Sequence, residues 1–368
     1  MQKILIIFPD PHLPYSPTIL NLYESLKDQF NVTILNFENK QFKKIDNPGI
    51  QYLRVPFLKK KFFGIINKVS REYGRVVMAY IKRDLVRKFL KEHSFDQFIV
   101  TDLISLWMLQ GKIDLPIHLV SLELTFNTVN FKAKVEINRL ASILIQSKER
   151  LDFVAPAFSK PVFYLQNAPV FQPSLLDAKK EPMKNHFIFS GTATAQFGIF
   201  QCLDFLLKYP TFKMTLIGNV PDAEKGVIYA KYKNLIEQGK LIIESRYFSS
   251  AEMLKEVSKY RIGFCFYDFS FPEIDNINYR TAPSGKMFTY FATGVPVIGV
   301  NIPGLKPITD FNAGELIDDL SPDAILAAVE SIEMDFDKKV EGCLEAAKYF
   351  SFDTRVQPFV EFLMHGAK

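Results

Sequence analysis

The sequence is poor in the residues that build covalent or metal-tied scaffolds. Cysteine occurs three times in 368 residues, at Cys202, Cys265 and Cys343, an odd and scattered set in apolar or helical surroundings. That excludes a disulfide framework; buried thiols in a reducing compartment are expected, which places the chain in the cytoplasm. The five histidines include no pair four residues apart and there is no Cys-x-x-Cys, so no metal is expected. Long apolar runs are lacking too: none approaches the ~18 residues a membrane-crossing helix requires. Met1 to Phe8 is too short for a secretory leader, and Asp10 with its flanking prolines ends it at once. Neither internal repeats nor low-complexity tracts occur. What remains, 48% hydrophobic and 23% charged residues, is the composition of a globular protein long enough for two domains.

Strand and helix signals alternate along the whole chain. Lys3 to Phe8 reads as a strand, and Ser16-Pro17 starts a helix with the apolar stripe Ile19, Leu22, Leu26 and Phe30. Strands are then expected at Asn31–Leu35, Ile50–Val55, Phe98–Thr101, Ile117–Glu123, Ser142–Ser147 and Val162–Leu165, with one long helix from about Gly64 to His93. The second half repeats the alternation: strands His186–Ser190, Lys213–Gly218 and Leu241–Ser245, and helices Phe197–Lys208, Asp222–Gln238 and Ser249–Tyr260. Alternation of this kind predicts an α/β chain of two Rossmann-like, doubly wound domains. Their expected limits are 1–168 and 186–348, joined by a Pro-, Lys- and Asp-rich linker at 169–185 and followed by a terminal helix within 349–368.

In open parallel sheets ligands bind beyond the carboxyl ends of the strands. That rule puts the loop holding His12, with Asp102 and Glu123, on one rim. Each also has a simpler reading, the carboxylates as caps and His12 as an exposed turn residue. Gly191-Thr192, directly after a strand, has the form of a turn that lets a phosphate approach the backbone.

The most informative stretch is Pro283 to Gly304, PSGKMFTYFATGVPVIGVNIPG. Ser284 is placed to cap a helix, Gly285 keeps its first turn open, and Gly294 with Pro296 stops it. The apolar runs Ile262–Tyr267 and Val295–Val300 on either side read as buried parallel strands. Lys286 then sits where the helix dipole is already positive, an unfavourable place for a cation unless an anion lies between it and the amides. A diphosphate meets that need. The simpler alternative is a capped helix with a solvated lysine.

The residues Pro283, Ser284, Lys286, Phe288, Thr289, Tyr290, Ala292, Gly294, Pro296, Val297 and Ile298 resemble the donor-site helix of GT-B glycosyltransferases, in particular the retaining group 1, family 4-like enzymes. In that family the pattern P-S-K-x-F-E-Y-x-A-x-G-x-P-V-I holds a nucleotide-sugar. Here Gly285 is inserted between serine and lysine, and Thr289 stands where a glutamate binds the ribose, so a ribose contact would be uncharged. The arginine common at the Thr192 position is absent. Lys160 to Pro169 resembles the family's interdomain crossover, and Pro303-Gly304 and Asn312-Ala313-Gly314 match its loops after the donor helix. The resemblance implies two domains facing a cleft, acceptor on the first and donor on the second, with the C-terminal helix crossing back. It implies donor contacts from Gly191, Thr192, Arg246, Tyr247, Asn278, Arg280, Ser284, Gly285, Lys286 and Thr289. Catalytic roles would fall to His12, Asp102 and Glu123: His12 as base under inversion, oriented by Asp10 or Asp102, or the carboxylates as positioning groups under retention.

Charge is unevenly spread. Of a net +5, the stretch Lys59 to Lys91 carries eleven Lys/Arg against Glu72 and Asp84, a local balance of +9 that leaves the remainder near −4. Ile66, Val69, Tyr73, Val76 and Tyr80 recur at helical spacing and predict an apolar face, with Lys68, Arg71, Arg75 and Lys82 on another. A core-packed helix with a solvated basic face is one reading; contact with an anionic membrane or polyanionic acceptor, edged by Lys59-Lys60-Lys61-Phe62-Phe63, is the other. No nucleic-acid motif accompanies the charge.

Together these features predict a cytoplasmic, metal-independent glycosyltransferase, peripheral on the inner face of the membrane if the basic helix docks there. It would use a nucleotide-sugar as substrate, need no cofactor, and act on a saccharide or lipid-linked acceptor in bacterial surface polysaccharide or glycoconjugate synthesis. Two alternatives stay open: a nucleotide-sugar epimerase of the same build, and a catalytically silent donor-binding or membrane-docking protein.

Overall fold

The computed structural model describes residues 1–39, 43–111, 113–124, 135–174, 183–246 and 248–366, without the side chains of 60–62, 65, 66, 69, 71 and 72. The chain forms two compact units, Met1–Leu165 with Val356–Lys368, and Gln166–Arg355.

Unit 1 is built on a parallel sheet of β1 (Lys3–Ile7), β2 (Asn31–Phe37), β3 (Ile50–Leu53), β4 (Gln97–Thr101), β5 (Ile117–Ser121), β6 (Ser142–Ile145) and β7 (Val162–Tyr164). Their order is β3-β2-β1-β4-β5-β6-β7. Ile4 of β1 lies opposite Val32 on one side and Gln97 on the other, so β1 is central and Ile4 to Ile7 are fully buried. Helices covering both faces make the continuous apolar runs necessary.

Unit 2 repeats the plan with β8 (Met183–Ser190), β9 (Lys213–Ile217), β10 (Leu241–Glu244), β11 (Tyr260–Cys265), β12 (Val297–Val300) and β13 (Gly314–Ile317), ordered β10-β9-β8-β11-β12-β13. In each sheet the order reverses direction once, between β1 and β4 and between β8 and β11. Those reversals are where a doubly wound sheet leaves a crevice at its carboxyl edge. The final helix, Phe352–His365, begins in unit 2 and belongs to unit 1 from Val356 onward.

Several expectations require correction. The helix expected from Gly64 to His93 is two helices, Phe57–Val69 and Arg71–Glu92, because Ser70 adopts an extended backbone and its hydroxyl accepts from the Tyr73 amide, starting a new helix. The apolar face expected on it is not a core face: Tyr73, Val76 and Tyr80 are exposed, while Ala79, Ile81 and Val86 are buried. Ile66 and Val69 lie outside the described side chains. The expected helix Asp222–Gln238 divides at Tyr232, whose ring is buried with its hydroxyl donating to Asp204 Oδ1 at 2.8 Å. Asp102 opens a helix, Asp102–Leu109, that the sequence reading did not anticipate. The short strand β13 and the helix Phe336–Phe350 were likewise not foreseen.

Candidate functional site

In unit 2 the helix Gly285–Ala292 leads from the carboxyl end of β11 back to β12. It forms because Met287, Phe288, Tyr290 and Phe291 bury one broad face. Phe288 packs against Phe350 with centroids 5.1 Å apart. Its end is a Schellman motif: Gly294, at φ 61°, donates to Phe291 O at 2.9 Å, and Val295 donates to Tyr290 O at 2.9 Å.

Tyr290 joins this helix to the reversal point of the sheet. Its hydroxyl accepts from the Ser190 amide at 3.0 Å and lies 3.3 Å from Phe264 O, bridging the ends of β8 and β11. Only a glycine at 263 leaves room for the ring, since a Cβ there would come within 2.6 Å of it. The sequence reading named Tyr290 only as part of the motif; its pinning role was missed.

The helix start differs from expectation. Ser284 is buried and makes no side-chain bond to the first-turn amides. Its hydroxyl lies beside the Cys265 thiol instead. The Ser284 hydroxyl therefore caps none of the first-turn amides, of which that of Met287 donates to the Ser284 carbonyl at 3.0 Å. Gly285 lies against Asn167, where a Cβ would meet the side-chain nitrogen at 3.1 Å. Asn167 thus joins the helix mouth, which sequence reasoning did not foresee although it sits in the Gln-Asn-Ala-Pro crossover.

Lys286 points inward. Its stem is half-buried while Nζ is shut off from solvent and has no hydrogen-bond partner. The ammonium lies 4.2 Å from the Phe189 ring centroid and 5.6 Å from that of Phe197. Burial pushes its pKa below the usual lysine value, and only the Cys265 and Cys202 thiols act in the other direction. Cation–π contact is worth about 2 kcal/mol or more for a desolvated cation, against several kcal/mol for a buried ion, so burial favours the neutral amine. An anion at the helix mouth would remove the deficit.

The other donor candidates are placed as follows. Gly191 follows β8 at φ 101°, a conformation that favours glycine, with Thr192 exposed beside it. A Cβ on Gly218 would come within 2.3 Å of Gly191 O, so the turns after β8 and β9 are in close contact. Thr289 is half-buried and donates its hydroxyl to Gly285 O at 3.1 Å, leaving only its acceptor capacity. Asn278 is buried, with its amide donating to Asn276 Oδ1. Arg246 is exposed and stacks on Phe248 at 4.1 Å. Tyr247 lies outside the described residues. Arg280 is ion-paired to Asp275 at 2.7 Å and faces a groove of about 720 Å³. That groove, beyond the ends of β11, β12 and β13, also carries Asp204, Asp268, Asp318 and Asp319, which repel a diphosphate. Ser284 and Lys286 do not line it.

In unit 1 the loop after β1 is tied from two sides. Asn36 Nδ2 donates to Phe8 O at 2.8 Å and to Asp10 O at 2.7 Å, and Lys82 Nζ donates to Pro9 O at 2.6 Å. Within the loop Asp10 accepts from the His12 amide at 2.9 Å and contacts His12 Nδ1, leaving an exposed imidazole oriented by a carboxylate. Burial pulls the Lys82 amine down to about 8, with Asp10 opposing.

Asp102 directly follows β4, which pairs with β1, and has φ 55°. Its carboxylate accepts from the Leu122 amide at 2.9 Å and the Glu123 amide at 3.2 Å. Burial outweighs these bonds and pushes its pKa up to about 7, while Arg150 pulls the other way. Glu123 itself is exposed; its backbone amide bonds to Asp102, and its negative charge adds to the upward push on the Asp102 pKa. Arg150, fully buried at the start of the helix Lys148–Val154 and donating to Leu122 O at 2.8 Å, was not foreseen. Its only sequence signal was a cation following the Ser147 cap.

The basic helix is partly internal. Besides Lys82, Arg83 lies 4.4 Å over Trp107 and Arg87 donates to Gln110 O at 3.2 Å. Among the described residues no helix is long and apolar enough to cross a membrane, and no group of three or more His, Cys, Asp or Glu could hold a metal ion.

No family model matches the chain, and no curated protein matches its sequence. Solved structures do. The E. coli trehalose-6-phosphate protein bound with UDP-2-fluoro glucose is similar at TM-score 0.68 and 12% identity, over 99% of both chains. Sucrose-phosphate synthase from Thermosynechococcus elongatus is similar at TM-score 0.67 and 13% identity, over 100% of both. A trehalose-6-phosphate synthase studied for glycosyl transfer with retention is similar at TM-score 0.67 and 11% identity, over 99% of both. The chain has the GT-B fold. At such identities the likeness carries the fold over the full length, and the chemistry has to be argued from the residues.

Proposed function

We propose that the protein is a glycosyltransferase in which unit 2 binds a nucleotide-sugar and unit 1 receives the acceptor. The observation that carries this reading is Lys286: a buried amine with no hydrogen-bond partner, in the first turn of the helix that follows β11. A diphosphate seated there meets Lys286 and the first-turn amides together, and the charge that develops on the leaving diphosphate is stabilised by groups already in place. Anion entry requires the Ala195–Phe197 turn to yield, since Phe197 lies over the amine. The UDP-sugar bound by a structural neighbour makes uridine the first nucleotide to test.

Retention is the preferred course. The acceptor hydroxyl would attack on the face from which the diphosphate leaves, with Asp102 as a positioning group held near neutrality. The Asp10–His12 contact supports a second course, in which the oriented imidazole removes the acceptor proton and the anomeric centre inverts. The anomeric configuration of the product, read by NMR, separates the two. The acceptor class we assign is a saccharide or lipid-linked saccharide, in surface polysaccharide or glycoconjugate synthesis, and no step of the reading uses a metal.

The test is thermal shift against a panel of nucleoside diphosphates. A ligand at a hundred times its Kd stabilises by about 2.7 kcal/mol, so UDP should raise the melting temperature of the wild type and not that of Lys286→Ala. An equal shift in both would refute the assignment. Slow hydrolysis of donor without acceptor would support transfer, whereas conversion of the donor alone to its epimer would assign an epimerase. Donor left unaltered with broad acceptor mixtures would mark a silent binding protein.

A further inference from the structure

The helices Phe57–Val69 and Arg71–Glu92 form an antiparallel hairpin, closed by Ser70 and by Gly74, where a Cβ would come within 2.6 Å of Asn67. Lys59 at the start of the first helix lies 3.6 Å from Asp84 far along the second, which fixes their alignment. Large apolar side chains stand exposed on both helices of this hairpin. Phe57 and Leu58 are each 77% exposed, Tyr73 is 72% exposed and Tyr80 52%. Tyr73, Val76 and Tyr80 follow at spacings of three and four, so they form one stripe on the second helix. The stripe is oriented, not loose, because Tyr80 also packs edge-on against Trp107 at 4.9 Å.

Charge decides what covers the stripe. Lys68, Arg75, Lys88 and Lys91 are exposed along the same two helices, against exposed Glu92, while Lys59 and Asp84 pair with each other. A helix pair with protruding aromatic and aliphatic side chains amid cations matches the interface of an anionic bilayer, where apolar groups enter the headgroup boundary and cations meet lipid phosphates. We propose that this hairpin docks the protein on an anionic lipid surface. The inward side of the same second helix holds the Asp10–His12 loop through Lys82 and Pro9. Docking would therefore set that loop at a fixed height above the lipid, suiting an acceptor whose saccharide is carried on a lipid. This last step rests on the reading of unit 1 as the acceptor side; the docking itself does not.

The experiment is vesicle flotation of the full chain with phosphatidylcholine alone and with added phosphatidylglycerol. Two surface variants are compared with the wild type: Phe57→Ser with Leu58→Ser and Tyr73→Ser, and Lys68→Glu with Arg75→Glu. The wild type should float with anionic vesicles, less so at raised salt, and not with neutral ones. Each cation near such a surface is worth about fivefold in binding, so the charge variant should lose about tenfold or more, and the apolar variant should lose binding because it has no side chains to enter the headgroup boundary. A wild type that stays with the soluble fraction, or variants that float as it does, would overturn the proposal. So would a dimer in sedimentation that the apolar variant dissolves, which would assign the stripe to a second copy. The UDP thermal shift of both variants should stay at the wild-type value, which verifies their folding and keeps failure of docking distinct from failure of donor binding.

Discussion

The Lys286 ammonium lies 4.2 Å from the centre of the Phe189 ring and finds no hydrogen-bond acceptor. An unpartnered amine so enclosed is a cost to the free protein, and under the proposed reading a bound anion would turn it into an asset. Replacing it by an apolar chain of similar length should reverse both effects. Lys286→Met, which removes a buried amine without a partner, is expected to raise the melting temperature of the free protein and to abolish the UDP shift. Calorimetry with and without UDP measures both. A variant that melts below the wild type would show that the amine is paired in solution.

Tyr290 holds the reversal point of the second sheet through one hydroxyl. In Tyr290→Phe the Ser190 amide, buried with its residue, loses its acceptor. A buried donor left without a partner costs about 1–3 kcal/mol. Urea denaturation should therefore show a lower midpoint with an unchanged slope, and donor affinity should weaken because the turn at Gly191 follows directly from Ser190. An unchanged midpoint would remove Tyr290 from the pinning role.

Much of the architecture was legible because parallel sheets advertise themselves: runs such as Lys3–Ile7 and Val297–Val300 are apolar on both faces and hold the places expected of them. What escaped notice shares a physical cause, the dependence of side-chain direction on tertiary partners. Lys82 belongs to the basic face expected to be solvated, yet its long stem reaches a carbonyl, and Arg83 and Arg87 on the same helix reach an indole and another carbonyl. Tyr73 and Tyr80 have the spacing of a core stripe and lie outside. Periodicity reports that two faces differ, not which of them is covered. At the candidate site the position of Lys286 in the helix was readable, but its inward course over Phe189 was not. Ser284 has the chemistry of a cap and makes none, because the fold buries it beside Cys265. The strand Gly314–Ile317 is four residues long and holds a single strongly apolar pair, too little for pattern alone.

Asp102 supplies a pH test. Burial raises its folded pKa from 3.8 to about 7, so the native state retains a proton that the unfolded chain releases. Stability contributed by this residue is full below pH ~4 and falls as pH rises toward 7, by up to about 4 kcal/mol at 1.36 kcal/mol per unit. Asp102→Asn keeps an acceptor for the Leu122 and Glu123 amides and tolerates the left-handed backbone, but cannot titrate. Urea midpoints between pH 4 and 8 should slope less in the variant. Parallel curves would mean that the carboxylate is solvated.

His118 gives the opposite sign and a different address. Its ring contacts Ser142 Oγ at 2.8 Å and Gln97 Oε1 at 3.1 Å, and it packs edge-on against Phe359 and Phe362 of the terminal helix. Burial lowers its pKa from 6.5 to about 4, so the folded form excludes a proton that the unfolded form accepts. The stability it contributes is full above pH 6.5 and is lost as pH falls toward 4, by up to about 3 kcal/mol. Because the ring sits under the terminal helix, the loss should be felt there first. Hydrogen exchange of the amides from Phe359 to Leu363 should accelerate at pH 5 after correction for intrinsic rates. His118→Gln, which retains polar partners without the titration, should remove that acceleration. If exchange in this segment follows the rest of unit 1 at both pH values, His118 does not govern the docking of the helix.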